Sequence, residues 1–223
     1  MELFDRLHQR VDLSIFSRSG KVFYSGRGAF SRPSKIYLLG LNPGGNPEES
    51  TSATVAEEIR EASARENADW SAYCDESWSG RDSGTKPMQR RVVHLLCGLD
   101  LNPRLVPASN VVFVRTASEK LLAREKSRLL DVCWPVHQQV IDELEVRVIL
   151  CLGSTVGRWV RERIAANELV ENFTEDNARR WKSTAHRNSG GIQVVTLSHP
   201  SRADWTQLNV DPTLMVRRCM KHA

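Results

Sequence analysis

The sequence predicts an α/β fold three layers deep, with helices on both faces of a central, mostly parallel four-stranded sheet. Three observations predict it. Four short apolar runs, Ile36 to Leu39, Asn110 to Val114, Val146 to Leu152 and Ile192 to Leu197, have strand length and are bounded by turn residues. Segments with helical spacing lie between them, which calls for right-handed crossovers and hence parallel strands. The runs also end in glycine or polar residues, which a parallel sheet gathers on one rim, where open α/β sheets place their ligands.

The chain has 223 residues, enough for a substantial core, and residues 1–223 are expected to form one domain with an N-terminal helical extension. A formal net charge of +4 is compatible with nucleic acid without demanding it. Five cysteines, odd in number and without a CxxC pair, give neither a disulfide framework nor a metal cluster. The charged amphipathic start, MELFDRLHQRVDL, is unlike a secretion signal, and no apolar run reaches membrane-spanning length. A cytoplasmic monomer without cofactor or metal is expected.

In chain order, Leu3, Phe4, Leu7 and Val11 mark a helix over residues 2–13, and Lys21 to Phe30 reads as an irregular or hairpin-like lead into the first strand. An acidic helix is predicted over residues 48–66. The segment NADWSAYCDESWSGRDSGTKP then reads as a long loop whose Trp70, Tyr73 and Trp78 either roof a pocket or pin the loop to the body. Helices are predicted over 89–99, over about 129–144 after a basic segment at 120–128, from Gly153 onward, and over about 212–220. The cationic stretch 172–191 is expected to be loop or edge.

The first rim loop is Gly40-Leu41-Asn42-Pro43-Gly44-Gly45. Its glycines permit close backbone approach and Pro43 stiffens the turn, so Asn42 would be held in a fixed pose able to orient a ligand or a water. The plain alternative is an ordinary strand-to-helix turn. Arg115 or Thr116, Ser154 with Thr155, and His199 with Ser201 and Arg202 complete the rim.

Together, GLNPG after the first strand and SHPSR after the last resemble the two signature motifs of the uracil-DNA glycosylase superfamily, in its branches with Asn in the first motif. The resemblance rests on about a dozen residues and on the order of elements. It implies a uracil-DNA glycosylase-like fold and a DNA partner, duplex or single-stranded, presenting a flipped pyrimidine. It implies that Asn42 orients the attacking water, that His199 contacts the leaving base, and that Ser201 and Arg202 form a wedge entering the duplex. The expected base pocket is Gly40, Leu41, Pro43, Tyr73, Trp78, Arg115 and Thr116, and the expected DNA contacts are Gly44, Gly45, Ser154, Thr155, Ser201 and Arg202. The iron-sulfur branches carry spaced cysteines that this chain lacks.

The chemistry agrees with these residue types. Cleaving an N-glycosidic bond develops positive charge on the sugar and negative charge on the departing base, so donors must be aimed at the base. The expected reaction is direct hydrolysis to an abasic site. Uracil-selecting branches place an Asn at the end of a middle strand, where this chain, read from sequence, offers Val114-Arg115-Thr116. Either another residue, such as Asn110 or one from the Trp70 to Trp78 loop, reads the base, or the pocket takes an enlarged pyrimidine, such as a hypermodified (glucosylated hydroxymethyl) cytosine of phage DNA, in a defence role. The alternatives are a uracil or mismatch glycosylase of base excision repair and a non-catalytic DNA-binding member of the fold.

Overall fold

Three of the four apolar runs, together with the residues just before the second run, form four adjacent parallel strands, because such runs need two covered faces and parallel pairing supplies them. The computed structural model describes residues 2–49 and 53–222. Among them, β1 (Ile36–Gly40), β2 (Ala108–Asn110), β3 (Val148–Leu152), β4 (Glu168–Thr174), β5 (Lys182–Arg187) and β6 (Gln193–Leu197) form one mixed sheet in the order β2-β1-β3-β6-β5-β4. The strands β2, β1, β3 and β6 are parallel, whereas β5 and β4 add antiparallel at one edge.

The helices are α1 (Leu3–Gln9), α2 (Val55–Ala64), α3 (Ala72–Asp75), α4 (Pro87–Gly98), α5 (Glu119–Glu143), α6 (Ser154–Arg163) and α7 (Thr213–Lys221). Alternation along β1 divides the core. Tyr37 and Leu39 pack with Leu7 of α1, Val136 of α5 and Trp159 of α6, while Ile36 and Leu38 pack with Val92 and Leu95 of α4 and Val216 of α7. One polar network crosses the first of these layers. His137 donates from Nε2 to the Val111 carbonyl (3.1 Å), so its Nδ1 accepts from the Tyr37 hydroxyl (2.8 Å), and burial lowers its pKa to about 4.

Several expectations change. The sheet has six strands, since 172–191 contributes β5 and part of β4, a hairpin in which β5 alternates between buried (Ser183, Ala185) and more exposed positions while β4 has no buried residue. Lys and Arg on the outer positions mask that alternation in the sequence. The second core strand ends at Asn110 where the sequence placed its start. Beyond Asn110 the Val111 and Val112 N–H groups follow the first rim loop, bonding to Gly40 and Leu41 carbonyls. The basic segment 120–128 belongs to α5, which Ser118 caps and whose buried Leu122, Leu129, Cys133 and Val136 form one stripe. The acidic helix starts later, at Val55, behind a Thr54/Glu57 capping box; residues 50–52 of that expectation lie outside the described residues. The N-terminal helix is part of the core, with Phe4 and Leu7 buried.

Among the described residues no helix is long and apolar enough to cross a membrane. The lead segment runs along the outer edge of β2, with Lys21 N–H on the Phe113 carbonyl and Tyr24 N–H on that of Ala108 (both 2.8 Å). This cover satisfies an otherwise open sheet edge, and it carries Lys21 and Tyr24 to the rim.

Candidate active site

The carboxyl ends of β2, β1, β3 and β6 open into a cleft of about 1070 Å³. It is lined by Gly40, Leu41, Asn42, Gly44, Gly45, Tyr73, Trp78, Arg115, Ser154, Thr155, His199, Ser201 and Arg202, so thirteen of the fifteen predicted site residues converge there. Pro43 and Thr116 stand behind it and hold Asn42. The Asn42 amide nitrogen donates to Thr116 Oγ1 (3.0 Å) and to the Pro43 (3.1 Å) and Val114 (3.5 Å) carbonyls. Carbonyl oxygens only accept, so the NH2 end is fixed there, and the Asn42 carbonyl oxygen is the end left for a ligand.

His199 is fixed with equal definition. The Ser201 N–H donates to His199 Nδ1 (3.1 Å) and Ser201 Oγ is 2.8 Å from the same atom, which makes Nδ1 an acceptor. Burial first, and the Arg202 guanidinium second, lower the His199 pKa against a smaller opposing effect of Glu119. The ring is therefore neutral at neutral pH with its proton on Nε2, a donor without charge. Beneath it, Gly153 has φ of +112°, and a Cβ there would lie 3.1 Å from His199 Cδ2. Glycine thus serves both the backbone turn and the seat of the ring.

The loop bearing His199 is braced from three sides. Arg91 of α4 donates to the Pro200 carbonyl (2.7 Å) and pairs with Asp204 (3.0 Å); Arg179, in the β4–β5 connection, donates to the Arg202 carbonyl (2.8 Å); and buried Trp205 donates to Ser198 Oγ (3.4 Å). The sequence reading missed Arg91 and Arg179, whose partners lie more than a hundred and more than twenty residues away in sequence.

Other predicted residues are differently employed. Arg115 braces the first loop, donating from Nε to Ser19 Oγ (3.0 Å) and from a terminal nitrogen to the Gly44 carbonyl, so two of its nitrogens are committed away from a base. Thr155, expected to meet a phosphate, donates its hydroxyl to Glu119 (2.5 Å). Trp70 lies outside the cleft lining, stacked by Arg65 at 3.8 Å. Tyr73 and Trp78 do wall the cleft, in edge contact at 5.7 Å, with Tyr24 joining them.

On the far wall, Asn110 and the 70–78 loop were foreseen as possible base contacts, whereas Lys21 and Glu58 were not. Lys21, only 6% exposed, reaches Glu76 at 2.8 Å and Glu58 at 3.4 Å. Burial works against the Lys21 ammonium, but Glu76 and Glu58 outweigh it and its pKa is raised; burial likewise raises that of Glu58. Next to this cluster stands Asn110, 6% exposed, with its Oδ1 over Gly40: a Cβ on Gly40 would come within 2.1 Å of that oxygen. The carboxamide missing from 114–116 is thus present at the true end of β2.

No family model matches this sequence, and comparison with curated proteins finds no match.

Proposed function

We propose that the protein is a monofunctional DNA glycosylase that hydrolyses the N-glycosidic bond of a flipped-out pyrimidine and leaves an abasic site. The observation that carries this reading is the pairing, on one parallel rim, of an Asn42 whose carbonyl is free for water with a neutral His199 whose Nε2–H is free to donate. A fixed carbonyl acceptor positions a water for attack at the sugar C1′ without needing to become a general base. The Nε2–H donates to the base carbonyl as negative charge develops there, a contact whose loss typically costs about 2.7–4 kcal/mol. Lys21, the lysine of the cleft, is held by two carboxylates, so the scheme calls for no Schiff base.

Flipping removes a base from the stack and leaves a gap for a side chain to fill. Arg202 is exposed beside His199 and supported through its carbonyl by Arg179, which suits the wedge role, with Ser201 and the Gly44–Gly45 backbone toward the phosphates. Binding to DNA would be salt-dependent. The cleft lies at the upper end of small-molecule pocket volumes, ~300–1,000 Å³, and Tyr73 and Trp78 wall it. This room favours a modified pyrimidine, such as a hydroxymethylated or glucosylated cytosine of phage DNA, and a role in defence. Asn110 at the end of β2 favours the second reading, a uracil or mismatch glycosylase, because uracil-selecting branches carry a carboxamide there.

The test is incubation with end-labelled DNA carrying uracil, thymine opposite guanine, hydroxymethylcytosine or glucosylated hydroxymethylcytosine, followed by mild alkali. Strand breaks at the modified cytosines are expected to exceed those at uracil. A clear uracil preference would establish the second reading, and a mobility shift without breaks on every substrate would leave only a binding protein.

A further inference from the structure

The two ends of the rim differ in the cations they leave free. At the end beyond β2, Lys21 is enclosed by Glu58 and Glu76, and Arg115 is bonded to Ser19 and the Gly44 carbonyl, so both are spent within the protein. Beyond β6 the balance reverses. Strand β5 runs antiparallel to β6, so its first residue, Lys182, and the connection from β4 emerge on the same rim, beside the loop that bears His199. That connection carries Arg179 and Arg180. Arg179 is structural: its guanidinium stacks on Trp181 at 4.4 Å, pairs with buried Glu175 at 3.2 Å and donates to the Arg202 carbonyl. Arg180 is exposed and pairs at 3.5 Å with Asp176, which is itself exposed, and such a pair holds its partners weakly in water. The Lys182 ammonium has no hydrogen-bond or ion-pair partner among the described residues.

Behind these cations lies a sheet face that the nearest helix leaves open. Val194 and Thr196 of β6 face α6: Val194 belongs to the core layer of that helix, and a Cβ on Gly157 would collide with Thr196. The register carries this orientation outward. His186 and Thr184 of β5 pair with Val194 and Thr196, and Leu169, Asn172 and Thr174 of β4 pair with His186, Thr184 and Lys182. Paired residues share a face, so all of these side chains lie on the α6 side. Helix α6 packs on β3 and β6, and past it this set stays partly or fully exposed. Leu169 is its one apolar member, so the face has hydrogen-bonding groups and charge and little for an apolar partner to bury against. Arg158, exposed one turn along α6 from Ser154 of the cleft, adds a further cation without a partner among the described residues. The nearby acids turn elsewhere: Glu171 to Arg218 of α7, Glu168 to Arg187, and Glu162 toward Lys126 of α5.

We propose that the rim beyond β6, from the β4–β5 connection with Arg180 to Lys182 and the open hairpin face behind it, is a track for the DNA backbone, so that DNA flanking the flipped nucleotide leaves the cleft over β5 and not over the end beyond β2. Phosphate is the ligand this surface fits, since lysine and arginine supply the charge and the Thr174, Thr184 and Asn172 side chains supply neutral hydrogen bonds. Contacts of this kind position a strand without reading its sequence. Neighbouring strands lie ~4.8 Å apart, so β4 stands ~10 Å past β6. At ~3.4 Å of axis per nucleotide, the track meets the backbone about three nucleotides from the flipped one. The place of the flipped nucleotide rests on the glycosylase reading; the cationic surface does not.

The experiment measures equilibrium affinity of the full chain for labelled duplexes between about 50 and 200 mM salt, the range over which phosphate contacts weaken steeply. Two duplexes of one sequence are used, one unmodified and one with 5-hydroxymethylcytosine on a 2′-fluoro sugar that resists hydrolysis. Wild type is compared with Arg180→Gln/Lys182→Gln. The control is Arg32→Gln/Arg147→Gln, which removes the same charge from exposed residues just before β1 and β3, at the opposite end of the sheet. The rim pair is expected to weaken binding about tenfold at the lower salt and to reduce the salt slope by about two, equally on both duplexes, while the control changes affinity less than about twofold. Equal losses in the two pairs, or full affinity in the rim pair, would overturn the track. Base release by a wild type whose rim pair binds DNA normally would overturn the track alone and leave the glycosylase reading standing. Binding lost in the rim pair, with no base released by wild type from any substrate, would uphold the track and remove that reading. A wild type that binds no DNA would overturn both.

Discussion

The two ends of the cleft are built on opposite plans. At the end formed by β1, β3 and β6, the atoms that anchor the key side chains are committed: Asn42 Nδ2 to three acceptors, and His199 Nδ1 to Ser201. At the end beyond β2, buried Lys21 is held between Glu76 and Glu58, and Glu76 Oε2 is left without a hydrogen-bond partner among the described residues. The first arrangement fixes rotamers and protonation before a ligand arrives, which is what transition-state stabilisation requires. One end is set by neutral hydrogen bonds before any ligand arrives, the other by buried charge.

Breaking the committed end should have the largest effect. His199→Ala and Asn42→Ala are each expected to lower single-turnover base release by about a hundredfold or more with DNA affinity nearly unchanged, because both act chiefly in the transition state. Full rates in both variants would leave the comparison without a chemical end. A subtler change at the same end is Gly153→Ala. Its methyl would press on His199 Cδ2 and strain a backbone at φ +112°, so release should fall by roughly tenfold while the variant remains folded by circular dichroism. An unchanged rate would mean that the seat of the ring is not critical.

Smaller effects sharpen the picture. Arg202→Ala should slow release from duplex a few-fold, by about 1 kcal/mol, and from single strands hardly at all, since only a duplex has a gap to fill; equal losses would make Arg202 a phosphate contact. The smallest expected effect is that of pH. Under the glycosylase reading the neutral form of His199 is the active one, and burial with the Arg202 charge lowers its pKa from the ordinary imidazole value, so its half-protonation is moved to more acidic pH. Release should therefore change little between pH 7.5 and 6.5 and fall only at more acidic pH, whereas an ordinary imidazole would already have lost about half of its neutral form at 6.5. A rate that rises on acidification would assign the proton donor to another group.

The end at β1, β3 and β6 was legible in the sequence; at the end beyond β2 the sequence offered Asn110 and the 70–78 loop but not the cluster of Lys21 with Glu58 and Glu76. GLNPG and SHPSR are short motifs whose residue types and spacing are visible in the sequence, and Ser201 holds His199 from within its own motif, whereas the other supports of Asn42 and His199, at Thr116, Gly153, Arg91 and Arg179, come from remote parts of the chain. Asn110 was visible as a letter but misplaced. Val111 to Val114 look more strand-like than Ala108-Ser109-Asn110, yet parallel pairing with β1 selects the latter. Lys21, Glu58 and Glu76 read as ordinary surface charges, and only the packing of the lead segment against β2 buries them together. The β4–β5 hairpin was hidden for a related reason, its cationic outer face outweighing a short buried alternation.

The central claim is hydrolysis by water without a covalent enzyme intermediate. Its direct measurement is the product balance of a single turnover on the modified-cytosine duplex, run with and without borohydride. The account predicts one free base per alkali-labile abasic strand and no protein–DNA adduct trapped by borohydride. A trapped adduct, or strand processing without a released base, would contradict it.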